Sequence, residues 1–141
     1  MERIVGVIYP VPGDIVDALF SGGSKVFVKY IPHKSTRLVK GNKVFFYASK
    51  GLKSLVGEGV IESIEFLSPE NVLDKYSDLL FLNREQFDGY VKMRPTRDPS
   101  KEILTLKLVK IKKYKKPIEC EKAITMAGRY VSSQEYSNLI S

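Results

Sequence analysis

The sequence predicts an α+β fold, a small and partly open barrel of five or six strands with short helices at its periphery. Three observations carry that prediction. Residues 25–31, 43–49 and 102–114 read as strands, whose period of two sends successive side chains to opposite faces. Residues 69–82 and 83–93 instead space their apolar side chains at helical intervals. Proline, glycine and serine clusters cut the chain between these runs and keep every element short. The organising stretch is 41–67, GNKVFFYASKGLKSLVGEGVIESIEFL, two adjacent strands joined by a short basic loop.

In chain order, residues 3–9 (RIVGVIY) are rich in β-branched side chains and form a first strand stopped by Pro10 and Pro12. Asp14 is an N-cap, and Ile15, Val16, Leu19 and Phe20 make a short amphipathic helix ended by Ser21-Gly22-Gly23. Residues 25–31 (KVFVKYI) are a strand that Pro32 ends, and the polar, basic stretch up to Gly41 is a surface loop, the kind of segment that carries ligand contacts. In residues 43–49, Val44, Phe46 and Ala48 share one face and Phe45, Tyr47 and Ser49 the other. Bulky side chains on both faces place this strand inside a barrel or under a second layer. Its partner, 55–67, holds Gly57 and Gly59, which in a strand signal a bulge, a sharp bend or the close approach of another backbone.

Ser68 then caps a helix over 69–82, with Pro69 in the first turn and Val72, Leu73, Tyr76, Leu79 and Leu80 on one face. Asn83 restarts a helical segment in which Phe87, Tyr90 and Val91 share a face, and Pro95 and Pro99 break it into a loop. Residues 102–114 (EILTLKLVKIKKY) change from apolar to basic, so the first half crosses the core, the end runs into solvent, and Pro117 closes the strand. Residues 123–130 make a last short strand, and Ser132-Ser133-Gln134-Glu135 is a capping box opening a C-terminal turn through Tyr136, Leu139 and Ile140.

A chain of 141 residues suits one domain, 1–141, with a single core. No apolar run approaches the roughly 20 residues of a membrane helix, and MERIVGVIYPVPG lacks the order of a signal peptide, so the expectation is a cytoplasmic protein with no membrane partner. Cys120 and His33 are the sole cysteine and histidine, which excludes an internal disulfide and a multi-cysteine metal site and argues against a zinc or histidine-dependent triad mechanism. No catalytic constellation, metal site or cofactor is expected. The net charge of +7 favours polyanions, and it is unevenly spread. Residues 25–53 hold eight basic side chains and no acid, 54–91 hold eight acids against two bases, and 101–122 hold eight lysines against three glutamates.

That polarity selects the candidate binding residues. Lys29, His33, Lys34, Arg37 and Lys40 form the densest basic segment, and Arg37 adds the planar fork that suits phosphate. Tyr47 and Ser49, with Lys50 and Lys53 after them, combine a base-stacking phenol with hydroxyl and ammonium donors at a strand end. Arg94 and Arg97, in a proline-bounded loop, are candidates for a phosphate clamp. The lysine-rich end from Lys107 to Lys116 either extends the footprint or blunts an edge strand against aggregation, and the second reading is preferred. Glu58 and Glu62 read as structural or surface acids, and Cys120 as a buried or incidental thiol.

The run TRLVKGNKVFFYASK followed by LVGEGVIESIE resembles the hallmark of PUA-like domains, the superfamily that includes the ASCH, EVE and YTH families. The match is closest to an uncharacterised archaeal family of unknown function. It extends over the IVGVIYPVPG opening, the KVFVKY strand, FLNREQFDGYV, and the KKPIE and AGRYVSSQEY ends. The resemblance implies a mixed PUA-like pseudobarrel that binds RNA or a modified nucleotide through a basic face and a pocket at the end of the central strand. Two features depart from it: there is no tryptophan for a YTH-type aromatic cage, and the GxKxxExR pattern of ASCH domains is absent. Two alternatives accompany this expectation. One is a nucleoside-processing enzyme of ASCH-like type using Glu58 with Lys29 or Lys53; the other is a protein-interaction module, monomer or homodimer, using the strand 102–114.

Overall fold

The computed structural model describes residues 3–11, 17–20, 23, 25–29, 37–48, 54–92, 102–119, 124 and 128–140, without the side chains of residues 84, 90–92 and 140. The elements are β1 (Ile4–Val11), β2 (Lys25–Lys29), β3 (Lys43–Ala48), β4 (Ser54–Leu67), α1 (Pro69–Tyr76), α2 (Arg84–Lys92), β5 (Ile103–Glu119), β6 (Arg129–Ser132) and α3 (Ser133–Ile140). They form the expected α+β architecture, one mixed six-stranded sheet in the order β2-β5-β4-β3-β1-β6 with short helices beside it. Among the named strands of the described residues the β1–β3 pairing is parallel and the rest are antiparallel, with one isolated parallel bridge between Val26 and Leu80. Among the described residues, no helix is long and apolar enough to cross a membrane.

The central pair keeps its expected place. β3 lies between β4 and β1, so both of its edges are paired, and with a hydrophobic cluster on each face every residue from Val44 to Ala48 is buried. Val44, Phe46 and Ala48 join the main core with Val7, Tyr9, Val11, Ile61, Leu104, Leu106 and Leu108. Phe45 faces the other way, into a smaller cluster with Ile8, Tyr47, Leu55 and Val131, onto which Tyr136 and Leu139 of α3 pack. Gly57 does what a strand glycine signals: the β3–β4 register slips beside it, leaving Val56 as the extra residue. A Cβ there would lie 2.4 Å from the Phe20 ring and 2.5 Å from the Lys112 carbonyl oxygen.

The structure corrects four boundaries. β1 continues through Pro10, because β6 pairs no further along β1 than Ile8 and the proline lies where a single strand flanks it. The helix after Ser68, α1, ends at Tyr76 instead of Leu82. The chain leaves it to run along β2, where Val26 N–H donates to the Leu79 carbonyl (2.7 Å) and Phe81 N–H to that of Val26 (3.1 Å). Backbone pairing to an open strand edge there outweighs the helical spacing of Leu79 and Leu80. β5 runs past Pro117 to Glu119, because the proline falls in an irregular stretch that demands no ladder bond. The last strand is Arg129–Ser132, ending two residues beyond the expected Tyr130, and the C-terminal turn is a full helix.

Local capping accounts for the helix starts. Ser68 Oγ accepts from Asn71 N–H (3.3 Å) at α1 and Ser132 Oγ from Glu135 N–H (3.1 Å) at α3. At α2, Asn83 Oδ1 accepts from Gln86 N–H (2.8 Å) while Gln86 Oε1 accepts from Asn83 N–H (2.9 Å), a reciprocal box. α1 is also clipped to β4 by Glu65, whose carboxylate accepts from Lys75 (2.6 Å) and from the Tyr76 hydroxyl. Those hydrogen bonds hold Glu65 below the usual carboxylate range.

Candidate nucleic-acid interface

Four of the expected binding residues are described, and the sheet separates them. Lys29 ends β2 and is only 7% exposed, with its ammonium 5.6 Å from the centroid of the Tyr9 ring. Tyr9 itself stacks on Phe27, so Lys29 belongs to the wall of the core. Tyr47 is 5% exposed within the smaller cluster and presents no open ring face for stacking, since β3 is central and α3 packs on its side of the sheet. Arg37 and Lys40 are exposed. His33, Lys34, Ser49, Lys50, Lys53, Arg94 and Arg97 lie outside the described residues.

Arg37 does not stand alone. Its backbone N–H donates to the Tyr130 hydroxyl (3.1 Å), and its guanidinium lies 5.6 Å from the centroid of the same ring. Tyr130 sits on β6, the edge strand, and with 36% exposure is one of two large hydrophobic residues at the surface of the described chain. The other is Val39, 59% exposed, two residues from Arg37.

The segment that carries Arg37, Val39 and Lys40 enters β3 through a fixed turn. Asn42 Oδ1 accepts from Val39 N–H (3.0 Å), and Gly41, at φ +96°, takes the left-handed conformation that glycine adopts without strain. Backbone bonds from Gly41 N–H to Ile61 (2.9 Å) and from Ile61 N–H to Asn42 (2.8 Å) clamp the turn against β4. The result is an aromatic ring with a guanidinium over it on a strand that is the sheet edge among the described residues, with the exposed Lys40 three positions along the chain from Arg37. Such a set can stack a planar ring and contact an anion. Sequence reasoning missed Tyr130, and the one signal for it was an unexplained aromatic beside Arg129 in a short strand.

On the other side of β3 lies a polar cluster. Glu58 is 7% exposed and accepts from Lys43 Nζ (2.6 Å) and from the Tyr114 hydroxyl (2.9 Å). Lys43 also donates to the Tyr136 hydroxyl (2.9 Å) and lies 4.9 Å from that ring's centroid. Burial alone would lower the Lys43 pKa, but the hydrogen bonds to Glu58 and Tyr136 and the nearby carboxylate charge outweigh it, and the value is raised. Burial, the charge of Glu58 and the hydrogen bond to it push the Tyr114 phenol far above its ordinary value. Glu58 is thus committed to Lys43, so the expected pairing with Lys29 is not the one formed, and Lys53 lies outside the described residues. Glu62 takes a different partner, Lys107, at 3.5 Å. No group of three or more potential metal ligands occurs among the described residues.

A family model described as "Domain of unknown function (DUF365)" matches residues 4–133. The chain belongs to this family. An uncharacterized protein of Methanocaldococcus jannaschii is 33% identical to this DUF365 chain over 104 residues, 70% of the chain and 96% of that protein. Among solved structures, ASCH from Zymomonas mobilis matches with a TM-score of 0.76 at 16% identity, covering 96% of this chain and 94% of that one. A tyrosine-to-phenylalanine variant of the same protein matches with a TM-score of 0.78 at 14% identity, covering 96% of both chains. At those identities the likeness is one of fold alone: the DUF365 sheet is built like that of the ASCH structures.

Proposed function

We propose that this DUF365 chain acts as a single domain that binds single-stranded RNA, with an unpaired base on the Tyr130 ring and the adjoining phosphates on Arg37 and Lys40. The observation that carries the reading is the exposed Tyr130 with the Arg37 guanidinium over its ring, at the open edge of the sheet. A solvent-facing aromatic accepts any base by stacking, and neighbouring cations bind phosphate without reading sequence. The acid-free segment 25–53 and the PUA-like fold support the same reading. A nucleoside-processing role through Glu58 is disfavoured, because both of its carboxylate oxygens are already engaged within the fold.

The test is fluorescence anisotropy with a labelled single-stranded RNA across a salt series. Base stacking is worth about 1–3 kcal/mol, so Tyr130→Ala weakens binding about 5-fold to 150-fold. Arg37→Ala weakens binding and also flattens its salt dependence. Absence of binding at low salt, or binding indifferent to both salt and these substitutions, rules the reading out.

A further inference from the structure

We infer that the outer half of β5, residues 109–119, is a second RNA-binding surface that grips the phosphodiester backbone away from the Tyr130 face; this inference rests on the RNA-binding function proposed for the Tyr130 face. β5 is 17 residues long, whereas β2 has five and pairs only with Leu104 to Leu108. Beyond that point β5 is flanked by β4 alone, and its other edge is open among the described residues. Lys110, Lys112, Lys113, Lys115 and Lys116 all lie on this half, and all are exposed.

None of these five ammonium groups has an ion pair or side-chain hydrogen bond among the described residues. The carboxylates that β4 offers nearby are already taken, Glu58 by Lys43 and Tyr114 and Glu62 by Lys107. The backbone also departs from a plain strand. Lys110 adopts φ +52°, a left-handed conformation that a side chain disfavours. Between the pairs Gly57–Lys113 and Leu55–Ile118, β5 advances five residues while β4 advances two. Tyr114 is anchored inward on Glu58 within this bulge, while Lys113, Lys115 and Lys116 remain outside. Lysine, proline and bulges guard an edge against aggregation, and all three occur here; five lysines within residues 110–116 with no acid among them go further, since surfaces made for solubility intersperse both signs, and the one acid on this half, Glu119, lies at its end. Five like charges without partners, crowded on one half of a strand, repel one another, and a polyanion relieves that repulsion.

Position separates this surface from the Tyr130 face. β4, β3 and β1 lie between β5 and β6, so the two surfaces are roughly 19 Å apart along the sheet at the usual strand spacing. A short oligonucleotide on Tyr130 does not reach the lysine row, whereas a longer one does.

The experiment compares the full chain with a Lys113→Glu/Lys116→Glu variant, on single-stranded RNAs of about 2 nucleotides, too short to span the two surfaces, and about 16 nucleotides. Glutamate keeps the edge charged, so light scattering of the variant stays that of the parent. The longer RNA is expected to lose affinity about tenfold or more, and the slope of log affinity against log salt to shrink by about 0.7 for each phosphate that the variant leaves unneutralised. The shorter RNA is expected to bind as before, and Tyr130→Ala to weaken both, which tells failure of the base site from failure of the lysine row. Unchanged affinity and slope for the longer RNA overturn the inference, as does an equal loss for both lengths. A variant that spares RNA but no longer binds vesicles of anionic phospholipid also overturns it.

Discussion

Replacing Glu58 by alanine removes the acceptor that ties Lys43 on β3 to Tyr114 on β5 across the middle of the sheet. Two interactions disappear together. A hydrogen bond to a charged group is worth about 1.5–3 kcal/mol, which applies to Tyr114. The ion pair counts for less, about 1 kcal/mol, because the Lys43 side chain keeps 29% of its exposure and can hydrate when its partner is gone. The expected loss is therefore about 3 kcal/mol. For 141 residues the unfolding entropy at the midpoint is about 0.3 kcal/mol/K, so the thermal midpoint followed by circular dichroism falls by about 10 °C. Glu58→Gln keeps an acceptor for Tyr114 and loses only the charge, and its midpoint falls by about half as much. A Glu58→Ala midpoint within about 2 °C of the parent refutes the reasoning. So does a glutamine variant as unstable as the alanine one.

Three further outcomes follow from single contacts. Gly57→Ala drives a methyl group into the Phe20 ring and the Lys112 carbonyl; the expected cost is about 1–3 kcal/mol in urea unfolding, and Phe20→Leu does not rescue it because the backbone oxygen stays. The Tyr114 pKa is raised by burial and then by Glu58, so the folded state keeps a proton that the unfolded chain releases above about pH 10. The stabilisation from this phenol is complete below that pH and declines above it by up to about 1.4 kcal/mol per pH unit; urea midpoints of Tyr114→Phe across that range show a shallower decline, the remainder coming from groups such as Lys43. Ser68→Ala removes the α1 cap and lowers stability by about 1 kcal/mol, read from the same midpoints.

The local features were legible in the chain because the residues that decide them are close in sequence. Ser68, Asn83 and Ser132 each cap a helix with a bond to a residue three positions away. The alternation in β3 and the glycine at its bulge follow from the pleat and from the absence of a Cβ. The apolar-to-basic change along β5 matches its passage from the core to the surface.

Tertiary structure decided which of these features meet. Tyr47 and Tyr130 read alike, each an aromatic on a short strand, yet one is buried and the other lies at the surface, because β3 is central and β6 is an edge. Strand order is set by contacts between distant segments, on which local periodicity is silent. The same holds for Glu58, whose partner Tyr114 is 56 residues away, and for the early end of α1, set by pairing with β2. The basic residues could be counted from the sequence alone, but which of them stand beside an exposed ring, and which lie on the half of β5 that has one strand neighbour among the described residues, depended on how the sheet was assembled.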